Sequence, residues 1–439
     1  MNAKLPYEKH VFTNGLRLIL VPMNGVNSVA TSVMVGVGSR YETSSINGVS
    51  HFLEHMVFKG TKKYPTTDDV NIIERAGGLQ NAYTDIDITN YHNKVLSTDW
   101  ELALDINKEL ATKPLLEQKH IDKERDVILE EMKRYEDEPS AKVGEAFHSM
   151  MYPKTSLGRR IIGEVESLKA ADANTLRAYH DQWYTPGKMV VVLAGDLRGN
   201  TTNTTNNTNT TNRILEKTEK WFGSLGNPGE VSTLEKIKEN QTKPQLSVVT
   251  KPDAQQAHIT IGIRTFARNS DDRFAWNLFN LIMGVSFTSR LFKEVREKRG
   301  LCYHIRSGAD AWQDVGYWSI YAGVATDKVT QTTQAILAEL EKVKDTGVTE
   351  DELKVARKRL KTMLAFKSED PEFLNEYYGR QELYGDPVLT LTDYIKKIET
   401  VTKEDINRLA RKYLVTKTLN MAVVWNRTRQ EKLEKLLKV

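Results

Sequence analysis

Apolar positions recur with strand and helix periods along the whole chain, and they divide it into two halves with a similar order of elements. In the first half, strands are predicted for 8–13, 16–22, 28–38, 79–84, 87–96 and 188–195. Helices are predicted there for 46–58, 67–76, 98–111, 117–137, 139–151, 172–183 and 213–225. In the second half, strands are predicted for 245–250, 257–264, 302–312, 316–325 and 419–425, with helices over 271–283, 289–298 and most of 328–413.

The ends of the two halves carry the clearest sign of a duplication. The segments LRAYHDQWYTPGKMVVVLAG and INRLARKYLVTKTLNMAVVW each read as a helix, a tyrosine, a short loop and an apolar strand. Tyr184 and Tyr413 are the matching tyrosines. Each half mixes hairpin strands with clustered helices. The sequence therefore predicts an α+β fold of two homologous domains, each with an antiparallel or mixed sheet packed against helices.

A low-complexity tract and a polar linker set the predicted domain boundaries. Residues 200–212 are all Asn or Thr, a composition that cannot bury apolar surface, and they are predicted to form a loop insertion. The polar, Gly- and Pro-containing stretch 229–244 is the predicted linker. The domains are then 1–228, expected to carry the catalytic metal site, and 245–439, expected to contribute to substrate binding.

Composition and charge exclude several classes of protein. With 39% hydrophobic and 27% charged residues and a net charge of +4, the chain is typical of a soluble globular protein and carries no basic platform for nucleic acid. No apolar stretch is long enough to cross a membrane, and the N-terminus does not read as a signal peptide. Cys302 is the single cysteine, so an internal disulfide and a cysteine-based zinc site are excluded, which fits a cytoplasmic location.

The segment HFLEH at 51–55 is the sharpest chemical feature. On a helix, His51 and His55 lie one turn apart on the same face, a spacing that lets both imidazoles bind one zinc ion. Glu54 lies beside that face and can accept a proton from water at the metal. This is the inverted H-x-x-E-H pattern. The alternative is two surface histidines on an ordinary helix.

A catalytic zinc site needs a third protein ligand, and the helical segment KERDVILEEMKRYE offers candidates. Glu124 and Glu131 are seven positions apart and share one helix face, whereas Glu130 is rotated away from them. Such a pair suits one ligand and one supporting acidic group. Taken alone, the segment also fits a solvated charged helix.

Together, HFLEHMVFKGT and ERDVILEEM resemble the pitrilysin or insulinase family of zinc metallopeptidases, in particular the branch of the mitochondrial processing peptidases and their bacterial relatives. The resemblance extends from NGLRLILVP to LNMAVVW. It implies one zinc ion per chain, bound by His51, His55 and Glu131, with Glu54 as general base and Glu124 as the second acidic residue of the site.

The resemblance also implies where substrate binds. Asn81, Ala82 and Tyr83 match the family's edge strand, to which an extended peptide adds by main-chain hydrogen bonds. Arg296 and Tyr303 match positions that bind a substrate carbonyl and stabilise the oxyanion. Without the resemblance, Arg296 is an ordinary cation on a helix surface. One departure from the family is the segment before Ser289, where a glycine-rich loop is reduced to MGVSFT.

These observations predict a zinc-dependent endopeptidase that hydrolyses unfolded peptides or presequence-like segments. The alternative is a non-catalytic or partner-dependent subunit of a heterodimeric peptidase or assembly complex. Because the chain carries both the zinc motif and the Arg296–Tyr303 segment, a homodimer is favoured over a heterodimer with a related subunit. Neither a nucleic acid nor a membrane is an expected partner.

Overall fold

The computed structural model describes residues 6–198, 207–226, 234, 236–238, 240–427 and 430–439. The first half of the chain forms strands β1 (Glu8–Val11), β2 (Arg17–Pro22), β3 (Ser28–Val35), β4 (Leu79–Thr84), β5 (Thr89–Leu96) and β6 (Met189–Gly195). Its helices are α1 (Val49–Val57), α2 (Thr67–Val70), α3 (Ile72–Arg75), α4 (Trp100–Thr112), α5 (Gln118–Asp137), α6 (Pro139–Met151), α7 (Val165–Ala170), α8 (Ala173–Trp183) and α9 (Asn207–Phe222).

The second half repeats this composition of strands followed by clustered helices. Its strands are β7 (Gln245–Thr250), β8 (Gln256–Thr265), β9 (His304–Ala311), β10 (Gly316–Ala325) and β11 (Asn420–Trp425). Its helices are α10 (Asp272–Gly284), α11 (Val329–Thr346), α12 (Glu350–Lys367), α13 (Pro371–Leu383), α14 (Leu391–Thr400), α15 (Lys403–Tyr413) and α16 (Gln430–Glu434), with a π-helical turn at Phe292–Glu297.

The two sheets have the same topology apart from one extra strand. The order is β1-β2-β6-β3-β5-β4 in the first sheet and β7-β11-β8-β10-β9 in the second. In each sheet one pair is parallel, β2 with β6 and β7 with β11, and the remaining pairs are antiparallel. Strands β6 and β11 are buried throughout, as expected for central strands of a covered sheet. The predicted α+β fold with an internal duplication is confirmed.

The compact units of the structure are not contiguous in sequence. One unit comprises Met1–Glu130, Arg159–Leu234 and Ala365–Thr390, and the other comprises Glu131–Gly158, Glu235–Leu364 and Leu391–Val439. Helix α6, from the first half, packs on β11, β8 and β7, whereas α13, from the second half, packs on β6, β3 and β2. The units therefore differ from the predicted contiguous segments by this exchange of helices. Periodicity shows that a helix face is buried but not which sheet covers it.

The structure differs from the predicted elements at several places. Helix α9 begins at Asn207, inside the tract assigned to a loop, and Thr210 of this helix donates a hydrogen bond to the Arg198 carbonyl at 3.0 Å. Residues 200–206 of the tract and residues 229–233, 235 and 239 of the predicted linker 229–244 lie outside the described residues. The helix predicted over 67–76 is divided at Asn71 into two short helices.

Within the described residues, no helix combines the length and the apolar character needed to cross a membrane.

Candidate metal centre

Helix α1 carries the HFLEH segment, and a buried carboxylate caps its first turn. Glu42, which is 4% exposed, accepts hydrogen bonds from the main-chain N–H groups of Gly48 and Ser50, both at 2.7 Å, and from the Asn47 amide at 2.9 Å. Burial raises the pKa of Glu42, and the hydrogen bonds oppose the rise. A carboxylate at this end satisfies N–H groups that have no partner within the helix.

A close contact between two glycines sets the position of the start of α1. Gly48 has φ +95° and Gly163 has φ +91°. A Cβ on Gly48 would lie 2.8 Å from the Gly163 Cα, and a Cβ on Gly163 would lie 2.5 Å from the Asn47 carbonyl oxygen. Only glycine fits at both positions, so the chain before α7 packs directly against the N-terminus of α1 and fixes its position.

The two histidines of α1 lie together on its partly exposed face. The ring centroids of His51 and His55 are 4.6 Å apart, with 62° between the ring planes. The opposite face of the helix, formed by Phe52, Leu53, Met56 and Val57, is buried in the core. Burial, followed by the neighbouring His55, lowers the pKa of His51 to about 3. The His51 imidazole is therefore neutral near pH 7, the form that binds a metal ion.

Glu124 of helix α5 orients His55. Its carboxylate lies 3.0 Å from His55 Nδ1 and 2.7 Å from Lys59 Nζ. Burial alone would raise the pKa of Glu124, but the hydrogen bonds and charges of His55 and Lys59 outweigh burial and lower it. Because an ionised carboxylate only accepts, His55 Nδ1 carries the proton and donates, which leaves Nε2 as the ring atom available to a metal.

Glu131 completes a cluster of three potential ligands. One nitrogen of His51, one nitrogen of His55 and one carboxylate oxygen of Glu131 all lie within 4.8 Å of one another. The division between the compact units passes between Glu130 and Glu131, but α5 continues unbroken through it, so the helix that places Glu124 also places Glu131. Glu130 is exposed and lies outside the cluster.

The donor set of this cluster fits zinc. Two imidazole nitrogens and one carboxylate are a known set for a catalytic zinc ion, and a carboxylate such as Glu124 commonly accepts the other N–H of a zinc-binding histidine. In the part of the chain that the structure describes, no other three His, Cys, Asp or Glu side chains come together in this way.

Glu54 lies on the same helix as the two histidines but is not one of the clustered ligands. Its side chain is half-buried, and its charge acts on two buried tyrosines, Tyr91 and Tyr184. Burial, with a smaller contribution from the Glu54 charge, raises the pKa of Tyr184 to about 12. Tyr184 therefore stays neutral beside this carboxylate.

Strand β4 lies at the edge of the first sheet, beside α1. The Thr84 hydroxyl donates to the Ser50 carbonyl of that helix at 3.4 Å. Since side chains alternate along a strand, Ala82 shares the face of Thr84, whereas Asn81 and Tyr83 face the other way. The Tyr83 hydroxyl donates to Glu376 of α13 at 2.5 Å. Of the three residues assigned to substrate binding, only Ala82 directs its side chain toward the face of α1.

Arg296 and Tyr303 lie in the second unit. Arg296 is part of the π-helical turn, where its guanidinium lies 4.9 Å from the Phe292 ring centroid. Tyr303 immediately precedes edge strand β9 and is 67% exposed. Between them, Cys302 is buried, and burial raises the pKa of its thiol to about 11. The thiol therefore stays protonated, which makes it a poor nucleophile.

Sequence reasoning missed Lys59 and Glu42. Lys59 follows His55 by one helical turn, so its spacing was a usable signal. Glu42 precedes the helix by several residues within an irregular segment, and no periodic pattern marks it as a cap.

Comparisons with known proteins place these motifs in a family. Residues 18–165 match the family model described as Insulinase (Peptidase family M16), and residues 170–360 match the one described as Peptidase M16 inactive domain. The chain is 32% identical to the uncharacterized zinc protease YmxG of Bacillus subtilis, over 95% of this chain and 98% of that protein. An uncharacterized zinc protease of Streptomyces coelicolor is also 32% identical, over 91% of this chain and 85% of its own length.

The same fold is found in solved structures of other proteins. A protease from Helicobacter pylori has a TM-score of 0.87 at 24% identity, with 95% of this chain and 99% of that chain covered. The branch of the mitochondrial processing peptidases, suggested by the sequence, stays a prediction.

Proposed function

Because the chain belongs to peptidase family M16, the insulinase family, we propose that it is a zinc-dependent endopeptidase acting on unfolded peptides. The single observation that carries this proposal is the cluster of His51, His55 and Glu131, whose ligand atoms lie within 4.8 Å of one another. In the proposal these side chains hold one zinc ion per chain.

The proposed chemistry divides between the metal and the acidic side chains. A zinc ion supplies Lewis acidity, which polarises a peptide carbonyl and allows water to lose a proton near neutral pH. Glu54, adjacent to the ligands but outside the set, takes that proton and returns it to the leaving amine. Glu124 keeps the His55 ring oriented by its hydrogen bond to Nδ1.

Substrate binding is assigned to the exposed edge of β4. An extended peptide pairing with that edge uses main-chain groups, so its recognition depends little on sequence. Tyr83, whose hydroxyl is bonded to Glu376, supports the strand from its opposite face. Asn81 lies on that same face of the strand. Ala82 lies on the face toward α1, where its small side chain leaves room for the peptide.

Arg296 and Tyr303 are proposed to act on the substrate carbonyl and the oxyanion. If so, Arg296→Ala combined with Tyr303→Phe should lower turnover by about 10²-fold, the scale of losing an oxyanion donor, with unchanged zinc content. Steady-state kinetics and metal analysis on the purified variant check this. An unchanged rate would show that neither residue acts in catalysis. Arg296 would then be an ordinary surface cation, and Tyr303 would have only a structural role before β9.

Activity and mass of the purified chain test the function and the assembly together. We expect it alone to cleave an unfolded peptide and to sediment with the mass of two chains. A homodimer is proposed in preference to a heterodimer because this chain carries both the zinc motif and the Arg296–Tyr303 segment, so a different subunit need not supply either.

Two results would contradict this proposal in different ways. Cleavage that begins only after a different, related subunit is added would favour the partner-dependent alternative. Full activity of a strictly monomeric chain at micromolar concentration would exclude the homodimer but leave the peptidase assignment intact.

A further inference from the structure

Helix α13 packs less closely on the two outer strands at the β4 edge than on the inner strands of the first sheet. Its main contacts are with β6, β3 and β2, whereas β5 and β4 complete that side of the sheet. A cavity of about 190 Å³ lies between these outer strands and the first half of α13, with Tyr83 and His92 on the strand side and Glu372 on the helix side. The position of β4 on this face therefore depends on side chains that reach across the gap.

Three side chains along α13 and at its C-terminal end reach across the gap, and we refer to them as the α13 bridge: Glu376, Arg380 and Tyr384. They are four positions apart and therefore share one face of the helix. Glu376 accepts a hydrogen bond from the hydroxyl of Tyr83 on β4 at 2.5 Å. The Tyr384 hydroxyl donates to Asp87, in the turn that joins β4 to β5, at 2.8 Å. The bridge thus contacts the edge strand at one end and its turn at the other.

Arg380 joins the two ends of the α13 bridge. Its guanidinium lies 3.3 Å from the Glu376 carboxylate and 3.4 Å from the Tyr384 hydroxyl. It also donates to the carboxylate of Asp85, in the turn after β4, at 3.4 Å. Glu376 and Asp85 are both half-buried, so their charges repel each other more strongly than they would in water. One guanidinium between them turns that repulsion into attraction and ties the turn to the helix.

The turn that the α13 bridge holds is also bonded to the segment leading into α1. The Asp85 carbonyl accepts a hydrogen bond from the Ser39 N–H at 3.2 Å, and the Ile86 carbonyl accepts one from the Arg40 N–H at 2.8 Å. Two residues further along the chain, Glu42 caps the first turn of α1. The bridge therefore fixes the β4 edge relative to the helix that carries the two histidines.

The second unit offers an internal comparison for the α13 bridge. Its helix α6 is the counterpart of α13, since both have 13 residues, begin with proline and cover equivalent strands of their sheets. The ninth residue of each helix meets the equivalent strand position, Gly379 at Met34 of β3 and Phe147 at Gly262 of β8. Positions in the two units can therefore be matched one by one.

Where the first unit has the hydrogen-bonded pair of Tyr83 and Glu376, the second unit has two glycines. Following the strand pairing outward from the matched contacts leads to Tyr83 on β4 and to Gly308 on β9. The sixth residue of the helix is Glu376 in α13 and Gly144 in α6. The second sheet nevertheless pairs its edge strand β9 over eight residues. The fold itself does not need this link, which indicates a role special to the first unit.

We propose that Arg380, together with Glu376 and Tyr384, is a positioning residue for the substrate strand. The α13 bridge holds β4 where its edge can pair with a peptide beside the helix that carries His51 and His55. This inference rests on the proposed function, in which β4 is the edge that receives substrate. It gives the exchanged helix α13, which comes from the second half of the chain, a part in substrate binding that it plays through β4 and its turn.

Arg380→Gln is expected to raise KM for an internally quenched decapeptide by at least about tenfold, the scale of losing a charge-assisted hydrogen bond. The expected change in kcat is less than about threefold, because pairing with β4 holds substrate and transition state alike. Steady-state kinetics on the full-length, zinc-loaded protein measure both constants. A residue that only stabilised the fold would lower the fraction of active protein, which scales kcat and leaves KM unchanged.

Hydrogen–deuterium exchange on the same proteins tests the positioning without any need for activity. In Arg380→Gln, peptides covering 79–88 should exchange at least about threefold faster than in the wild type, because β4 and its turn open locally more often. Peptides covering α4, which packs on β3 and β5, should exchange as in the wild type. Arg359→Gln makes the same chemical change at an exposed position of α12, so this matched control should leave both KM and exchange unchanged.

Two further variants locate the effect in the α13 bridge. Asp85→Asn should raise KM by itself but add little in the Arg380→Gln background, because the two side chains act as one pair. Tyr83→Phe removes only the hydroxyl that donates to Glu376 and should raise KM about threefold. Because this variant keeps the ring, it tests the bridge even if circular dichroism shows that Arg380→Gln does not fold.

Unchanged exchange over 79–88 in folded Arg380→Gln would overturn the proposal, as would a KM equal to that of the Arg359→Gln control. If Arg380→Gln does not fold, wild-type KM and exchange in Tyr83→Phe overturn it instead. Additive effects of Asp85→Asn and Arg380→Gln would contradict their action as a pair. A wild type that cleaves no peptide would refute the proposed function alone, and the exchange data would still decide whether Arg380 positions β4.

Discussion

Replacement of Glu54 by glutamine is expected to lower peptide cleavage by about 10²–10⁴-fold while bound zinc stays at the wild-type level. The side chain lies on α1 beside His51 and His55 but outside the group whose ligand atoms cluster. Glutamine keeps the size and a hydrogen-bonding oxygen but cannot accept a proton in the catalytic step. Turnover and zinc content, measured on the same preparation, separate a lost base from a lost metal.

Two results would contradict this role of Glu54. Near-normal turnover with stoichiometric zinc would remove the side chain from the mechanism. Loss of zinc together with activity would instead make Glu54 a ligand, against the geometry of the cluster.

Replacement of Glu131 by glutamine is expected to weaken zinc binding by at least about 100-fold, more than the loss of a residue that only supports a ligand costs, and to reduce cleavage accordingly. The variant exchanges a negatively charged donor for a neutral amide oxygen, which binds zinc far less well. Competition with a chromogenic chelator measures the affinity, and a peptide assay at limiting zinc measures the consequence.

Glu130→Gln is the matched control for this experiment. It makes the same chemical change on the same helix, one residue away, at an exposed position outside the cluster. Wild-type zinc affinity in Glu131→Gln, with a loss in Glu130→Gln, would show that the ligand has been assigned to the wrong glutamate.

The parts of the fold that could be predicted depend on local pattern. The matching ends of the halves, each a helix, a tyrosine and a buried strand, indicate the duplication that the two sheets display. The exchange of α6 and α13 could not be predicted, because an amphipathic helix records that one face is buried but not its partner. The π-helical turn at Phe292–Glu297 could not be predicted either, because its sequence has the pattern of an ordinary α-helix.

The candidate site shows the same division between local and long-range information. Spacing alone puts His51 with His55 and Glu124 with Glu131, because each pair shares a helix face. The direction of Tyr83 required knowledge of which sheet face α1 covers, which the sequence of β4 does not contain. Arg296 and Tyr303 were assigned by resemblance, and their roles stay predictions.

Bound zinc per chain, measured by mass spectrometry on wild type, Glu54→Gln and Glu131→Gln purified side by side, tests the central claim most directly. The account predicts about one zinc ion per chain in wild type and in Glu54→Gln, and far less in Glu131→Gln, with cleavage strongly reduced in both variants. Full zinc in all three proteins, or none in an active wild type, would contradict it.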